Sequence, residues 1–143
     1  MDEPIAVFDT NVIVSGFLSA HGPPGRIVDW LRQGYVHAVV DDRVTAEYRE
    51  VLCRPKFGFP LAEINLVLDS ILSFAVWLAI PPDCLNVNLP DPDDRPFAEC
   101  AKAAQCPLVT GNARHFPQDM LSQPVITPAE FVKRTMRGTT HSH

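Results

Sequence analysis

Apolar positions in this chain fall into short continuous runs and longer stripes at helical spacing. Ile5–Phe8 is a continuous run of the kind a buried strand gives, and Asp9-Thr10-Asn11 breaks it before a second apolar stretch over residues 12–18. The pattern predicts strand, polar turn, helix. The loop His21-Gly22-Pro23-Pro24-Gly25 leads into a helix that starts near Pro24 or Gly25, carries Ile27, Val28 and Leu31 on one face, and ends at Gly34.

Residues 36–40 read as a second strand, with Asp41-Asp42 offering a cap for a helix whose buried face is Val44, Tyr48, Val51 and Leu52 and which ends near Pro55. Ile64, Val67, Leu68, Ile71, Leu72 and Ala75 repeat at helical spacing and predict a helix over residues 61–74. Residues 76–80 and 85–87 are strand candidates separated by Pro81-Pro82. The acidic turn Leu89-Pro90-Asp91-Pro92-Asp93-Asp94 then leads into a helix over residues 95–104, with Pro96 in its first turn, where proline is tolerated. Strands at 108–110 and 125–126 and a closing helix at 128–136 complete the pattern.

Such alternation predicts an α/β fold, with helices on both sides of a mainly parallel sheet. No repeat or linker divides the chain, so the expectation is one domain over residues 1–136 and a flexible polar tail over 137–143. At 143 residues the domain buries roughly two thirds of its unfolded surface and needs no staple.

Composition narrows the class. An apolar fraction of 46% with 20% charged residues is globular, and the 14 prolines sit mostly at element boundaries. The longest apolar stretch, residues 64–80, is broken by Asn65, Asp69, Ser70 and Ser73 and is too short to span a bilayer. Cys53, Cys84, Cys100 and Cys106 form no C-x-x-C pair, and Met-Asp-Glu opens the chain without a basic or apolar leader. Small buried reduced thiols and a cytoplasmic protein are the expectation. A net charge of −5 argues against gripping nucleic acid by overall field alone, although nine of the twelve basic residues are Arg, suited to bidentate phosphate contacts. No Gly-rich phosphate loop is present, which argues against an NTPase.

In parallel sheets, ligands gather beyond the carboxyl ends of the strands, so the polar residues just after strands come first: Asp9, Thr10 and Asn11, then Asp41 and Asp42, then Asn112. Asp9 directly follows Ile-Ala-Val-Phe, where a carboxylate is costly to desolvate unless paired or bound to a cation. Glu47 lies beside the stripe Val44, Tyr48 and Val51. Asp94 opens its helix, where free amides stabilise an anion, and Asp91 and Asp93 crowd beside it. Like charges so close call for a counter-ion, and oxygen donors suit Mg²⁺ or Mn²⁺.

Val-Phe-Asp9-Thr10-Asn11-Val, the Glu47 helix, Asp-Pro-Asp-Asp94 before an alanine-bearing helix, and Leu-Val-Thr110-Gly111-Asn112 resemble the ordered motifs of PIN domains, most closely the toxins of type II toxin–antitoxin systems (VapC-like ribonucleases). The resemblance runs from Ile5 to about Val132. It implies a three-layer α/β/α sandwich and a metal-dependent endoribonuclease using Mg²⁺ or Mn²⁺, with Asp9, Glu47 and Asp94 as catalytic metal ligands and Asn112 in the metal set. Thr10 and Asn11 would orient Asp9 and a bound water, and Thr110 would buttress the pocket through its hydroxyl. RNA as substrate, an antitoxin protein as partner and a homodimer are also implied, with no membrane.

One departure matters: many PIN domains carry Asp where this chain has Asn112. The amide keeps a carbonyl oxygen but loses the charge, so a second metal should bind more weakly, with Asp91, Asp93 or Glu99 able to compensate. A catalytically weak or inactive PIN-like scaffold that binds RNA or a protein is therefore the alternative. A phosphatase using Asp9 as nucleophile ranks lower, because such enzymes usually have a second aspartate where Asn11 stands.

Plainer roles exist for each residue: a turn aspartate at Asp9, a helix cap at Asp94, and an acid paired with Arg43 or Arg49 at Glu47. Asp41 and Asp42 read as a cap and its solvated neighbour. Arg95 and Arg114, next to the proposed acids, are the candidates for RNA phosphate contact, whereas His115 reads equally as a rim residue or a structural histidine. Trp30, Tyr48, Phe57 and Trp77 read as core or interface aromatics.

Overall fold

Strand β1 (Ile5–Phe8), buried over its last three residues, stands at the centre of a five-stranded parallel sheet. The other strands are β2 (His37–Val40), β3 (Val76–Trp77), β4 (Leu108–Val109) and β5 (Val125–Ile126), in the order β3-β2-β1-β4-β5. The computed structural model describes residues 4–81, 85 and 87–140. Both neighbours of β1 pair with it in parallel, Ile5 opposite His37 and Phe8 opposite Val109. Continuous apolar runs are what such doubly covered strands require.

The helices are α1 (Thr10–Leu18), α2 (Pro23–Gln33), α3 (Asp42–Leu52), α4 (Leu61–Ser73), α5 (Arg95–Ala104) and α6 (Pro128–Thr140). Helix α2 packs on α1, α4 and α6, while α5 lies against β1, β2 and β4 and touches α3. This is the α/β sandwich that the alternating pattern predicts. Its core joins Phe8, Ile13, Leu31, Tyr48, Leu68 and Phe97, and Phe131 of α6 meets Phe8 edge to face at 5.2 Å. Gly34 ends α2 with φ 78°, and a Cβ there would come within 2.8 Å of the Phe74 ring, so glycine is needed for both backbone and space.

Several boundaries differ from the pattern. Thr10 and Asn11 belong to the first turn of α1, leaving Asp9 alone as the residue between strand and helix. The strand expected over 76–80 stops at Trp77, because β2 ends at Val40 and the last bond to it is from the Leu78 amide. Leu85 and Val87 are in no strand; the edge position beside β2 is already taken by β3. Helix α6 continues past Met136 to Thr140, into the segment expected to be tail. Cys100 and Cys106 are buried as expected, whereas Cys53, the residue after α3, is exposed; Cys84 lies outside the described residues. Tyr48 is core, but Trp77 on edge strand β3 is half exposed. No helix among the described residues is long and apolar enough to cross a membrane.

Candidate active site

From β1 the sheet grows through β2 and β3 to one edge and through β4 and β5 to the other, so the crevice beyond the ends of β1 and β4 is the topological switch point. Asp9 follows β1 and Thr110 follows β4. The Thr110 hydroxyl donates to Asp9 Oδ2 at 2.8 Å and accepts from the Asn112 amide at 3.0 Å, which links the loop after β4 to the acid after β1. Burial raises the Asp9 pKa, opposed by the Thr110 bond, the Thr10 backbone amide and the charge of His115.

Glu47 reaches the same place from α3. The Thr10 hydroxyl donates to Glu47 Oε2 at 2.5 Å, and burial is the main cause of a raised Glu47 pKa, with Asp9, Asp93 and Glu50 adding to it. Its neighbour Tyr48 is fully buried and donates through its hydroxyl to the Phe8 carbonyl, tying α3 to the end of β1. A helix fixed there holds residue 47 at the crevice.

Asp94 completes the group at the start of α5, with no side-chain capping bond to that helix. Burial, then Asp9, Asp91 and Glu47, push its carboxyl up to about 6 against the opposing charge of His115. Asp94 Oδ2 is buried without a hydrogen bond, and His115 Nδ1 lies 3.1 Å from it. Asp91 instead caps the 3-10 turn Pro92–Asp94, accepting from the Asp93 amide at 2.9 Å. Asp91 and Asp93 are exposed and add negative charge around the crevice.

The structure therefore brings Asp9, Glu47, Asp94 and Thr110 together, and it corrects the roles of several neighbours. The Thr10 hydroxyl serves Glu47, and only its backbone amide acts on Asp9. Asn11 does not orient Asp9: its Oδ1 accepts from the Gly111 amide at 3.3 Å, bracing the loop after β4. Glu99 cannot compensate for Asn112, because it is buried against Arg43 at 2.5 Å and Arg95 at 3.6 Å. Arg43 also binds Asp41, which caps α3 by accepting from the Val44 amide, while Arg49 donates to Asn65. Neither arginine pairs with Glu47 in the way the plainer reading supposed.

Asn112 is partly buried behind Thr110, and Arg114 is exposed on the 3-10 turn Ala113–His115. Arg95 and Arg43 line a cleft of about 260 Å³ with Pro92, Pro96 and Glu99. A roomier cleft of about 540 Å³, lined by Val87, Lys102, Met120 and Gln123 among others, contains none of the three acids and lacks their chemistry. The contact between His115 and Asp94 was the part of the site least visible in the sequence; its only signal was a histidine three residues beyond Asn112.

The donors suit a small hard cation. After burial, Asp9 raises the pKa of both Glu47 and Asp94 and Glu47 adds to that of Asp94, and the buried Asp94 Oδ2 has no hydrogen bond, all of which a divalent ion would relieve. Among the described residues no three acid, histidine or cysteine side chains close on one ion position, so an ion would complete its shell with water or substrate oxygens.

Comparison with known proteins bears on the fold and the family. MJ1680 of Methanocaldococcus jannaschii, an uncharacterised protein, is 24% identical over 137 residues, covering 89% of this chain and 88% of its own. The crystal structure of VapBC2 from Rickettsia felis, bound to a DNA fragment from their promoter, contains a chain with the same fold. That match has a TM-score of 0.58 at 17% identity, covering 85% of this chain and 96% of the other. The family profile described as PIN domain matches residues 6–114, which include Asp9, Glu47, Asp94 and Asn112. The chain belongs to the PIN-domain family.

Proposed function

We propose that the chain is a metal-dependent endoribonuclease, with Asp9, Glu47 and Asp94 holding Mg²⁺ or Mn²⁺ and Asn112 contributing a neutral oxygen. The observation that supports this best is the gathering of three carboxylates from distant segments at the switch crevice, where Asp9 raises the pKa of both Glu47 and Asp94. Crowding of this kind disfavours the metal-free, fully ionised state and is relieved by a cation. A bound divalent ion supplies an activated water and neutralises charge on the scissile phosphate.

The chain's own residues prepare the place. Thr110 holds Asp9 and Thr10 holds Glu47, so each carboxylate has one oxygen fixed by a hydroxyl. Asp91 and Asp93 add charge that attracts cations, and Arg95, next to Asp94, and Arg114, next to His115, contact RNA phosphates. Membership of the family and the fold shared with VapBC2 support a toxin role, with a protein antitoxin as partner, a homodimer as the assembly and the cytoplasm as location. Cleavage of labelled RNA by the purified chain in Mn²⁺ or Mg²⁺, abolished by EDTA, is the expected result; no cleavage of any RNA in either ion would contradict it.

Asn112 favours a second reading, a PIN-like scaffold that binds RNA or a protein without turnover. Its uncharged side chain stands where many family members have an acid. Undiminished RNA binding in EDTA, with no cleavage in metal, is the pattern that reading predicts.

A further inference from the structure

We infer that His115 is a ligand of the proposed metal pocket and sets its ion preference, favouring ions that accept imidazole nitrogen over Mg²⁺. The inference rests on the metal-pocket reading above and extends it to a residue outside the acid set. His115 ends the 3-10 turn that follows β4, and its amide closes that turn by donating to the Asn112 carbonyl at 3.1 Å. Its side chain is 47% exposed, which excludes a core role.

Two features of its approach to Asp94 point to a shared third partner. Nδ1 and Oδ2 are 3.1 Å apart, yet Oδ2 has no hydrogen bond, so the imidazole nitrogen is not aimed at the oxygen it nearly touches. Two donors that close, and misaligned for bonding one another, are placed as adjacent ligands of one ion would be. Donors each about 2.1 Å from an ion at a right angle lie roughly 3 Å apart.

The neighbourhood agrees. Asn112 supplies no charge, while His115, three residues on, brings a nitrogen within electrostatic reach of Asp9 as well as Asp94. Imidazole suits Co²⁺, Ni²⁺ and Zn²⁺, whereas carboxylate and water suit Mg²⁺. A histidine beside Asp94 thus does more than add a donor: it moves the preference along the series.

The test is calorimetric titration of Co²⁺ and of Mg²⁺ into the full chain, with the visible absorption of Co²⁺ followed in parallel, for wild type, His115→Ala, His115→Asp and Asp94→Asn. His115→Ala should weaken Co²⁺ binding by about tenfold or more and shift its absorption band, with Mg²⁺ affinity changed by less than about twofold. His115→Asp should swing the preference toward Mg²⁺. Equal loss of both ions in His115→Ala, or an unchanged Co²⁺ spectrum, would overturn the inference while leaving the pocket intact. Absence of ion binding by the wild type, or binding unaffected by Asp94→Asn, would overturn the pocket itself. If circular dichroism shows His115→Ala unfolded, His115→Gln carries the same comparison.

Discussion

The hydroxyl of Thr110 donates to Asp9 Oδ2 across 2.8 Å, joining the residues that follow two neighbouring parallel strands, β1 and β4. Both residues are buried, and the same hydroxyl accepts the Asn112 amide. Thr110→Val should therefore lose two bonds while leaving a buried carboxylate and an amide unsatisfied, at a cost of about 1–3 kcal/mol. Urea unfolding at neutral pH checks the value, and Thr110→Ser should recover most of it. A valine variant as stable as wild type would mean that the threonine does not support Asp9.

Asp94 gives the metal-free protein a pH dependence with a definite sign. Its carboxyl ionises near 6 in the folded chain and near its ordinary 3.8 when unfolded, so the folded state holds the proton more tightly. The resulting stability is fully present below about pH 4 and is lost as pH rises through about 6. In EDTA, wild-type stability should fall across that window, and Asp94→Asn should flatten the fall and be the more stable protein at pH 7. Glu47 and Asp9, raised in the same direction, leave a residual slope in the variant. Parallel slopes in the two proteins would contradict the assignment.

Arg43 offers a control away from the proposed chemistry. It bridges Asp41 and the buried Glu99, so Arg43→Ala should destabilise the fold by about 2 kcal/mol, less than a fully buried pair because its side chain is 41% exposed and Arg95 also reaches Glu99. Mn²⁺ affinity, read by calorimetry, should stay within experimental scatter of wild type. A loss of metal binding would mean that Glu99 takes part in the pocket after all.

Asn112→Asp should tighten Mn²⁺ binding and preserve or raise RNA cleavage, because it adds a charge beside Thr110 where the chain has only an amide. Calorimetry decides it directly. Weaker Mn²⁺ binding by the aspartate variant would show that the crevice already holds as much negative charge as it tolerates.

Much of this arrangement was legible in the sequence because it follows from local pattern. A continuous apolar run ending at Phe8 makes Asp9 a post-strand acid, the stripe through Val44 and Tyr48 puts Glu47 beside the core, and Pro92 stiffens the turn that presents Asp94. What escaped was set by partners far along the chain. Thr10 and Asn11 adjoin Asp9, yet the Thr10 hydroxyl bonds Glu47 and the Asn11 amide group bonds Gly111, choices no spacing rule encodes. Glu99 was withdrawn from the crevice by Arg43, 56 residues away. Leu85 and Val87, expected in a strand, are in none for a similar reason: the place beside β2 belongs to β3.

The most direct test of the central claim is the rate of labelled-RNA cleavage by wild type and Asp94→Asn in saturating Mn²⁺, with EDTA controls and melting curves to show both proteins folded. Metal-dependent cleavage by the wild type, lost by at least about a hundredfold in the folded variant, is the predicted result. Equal cleavage by the two proteins, or cleavage that survives EDTA, would contradict an active site built on these carboxylates.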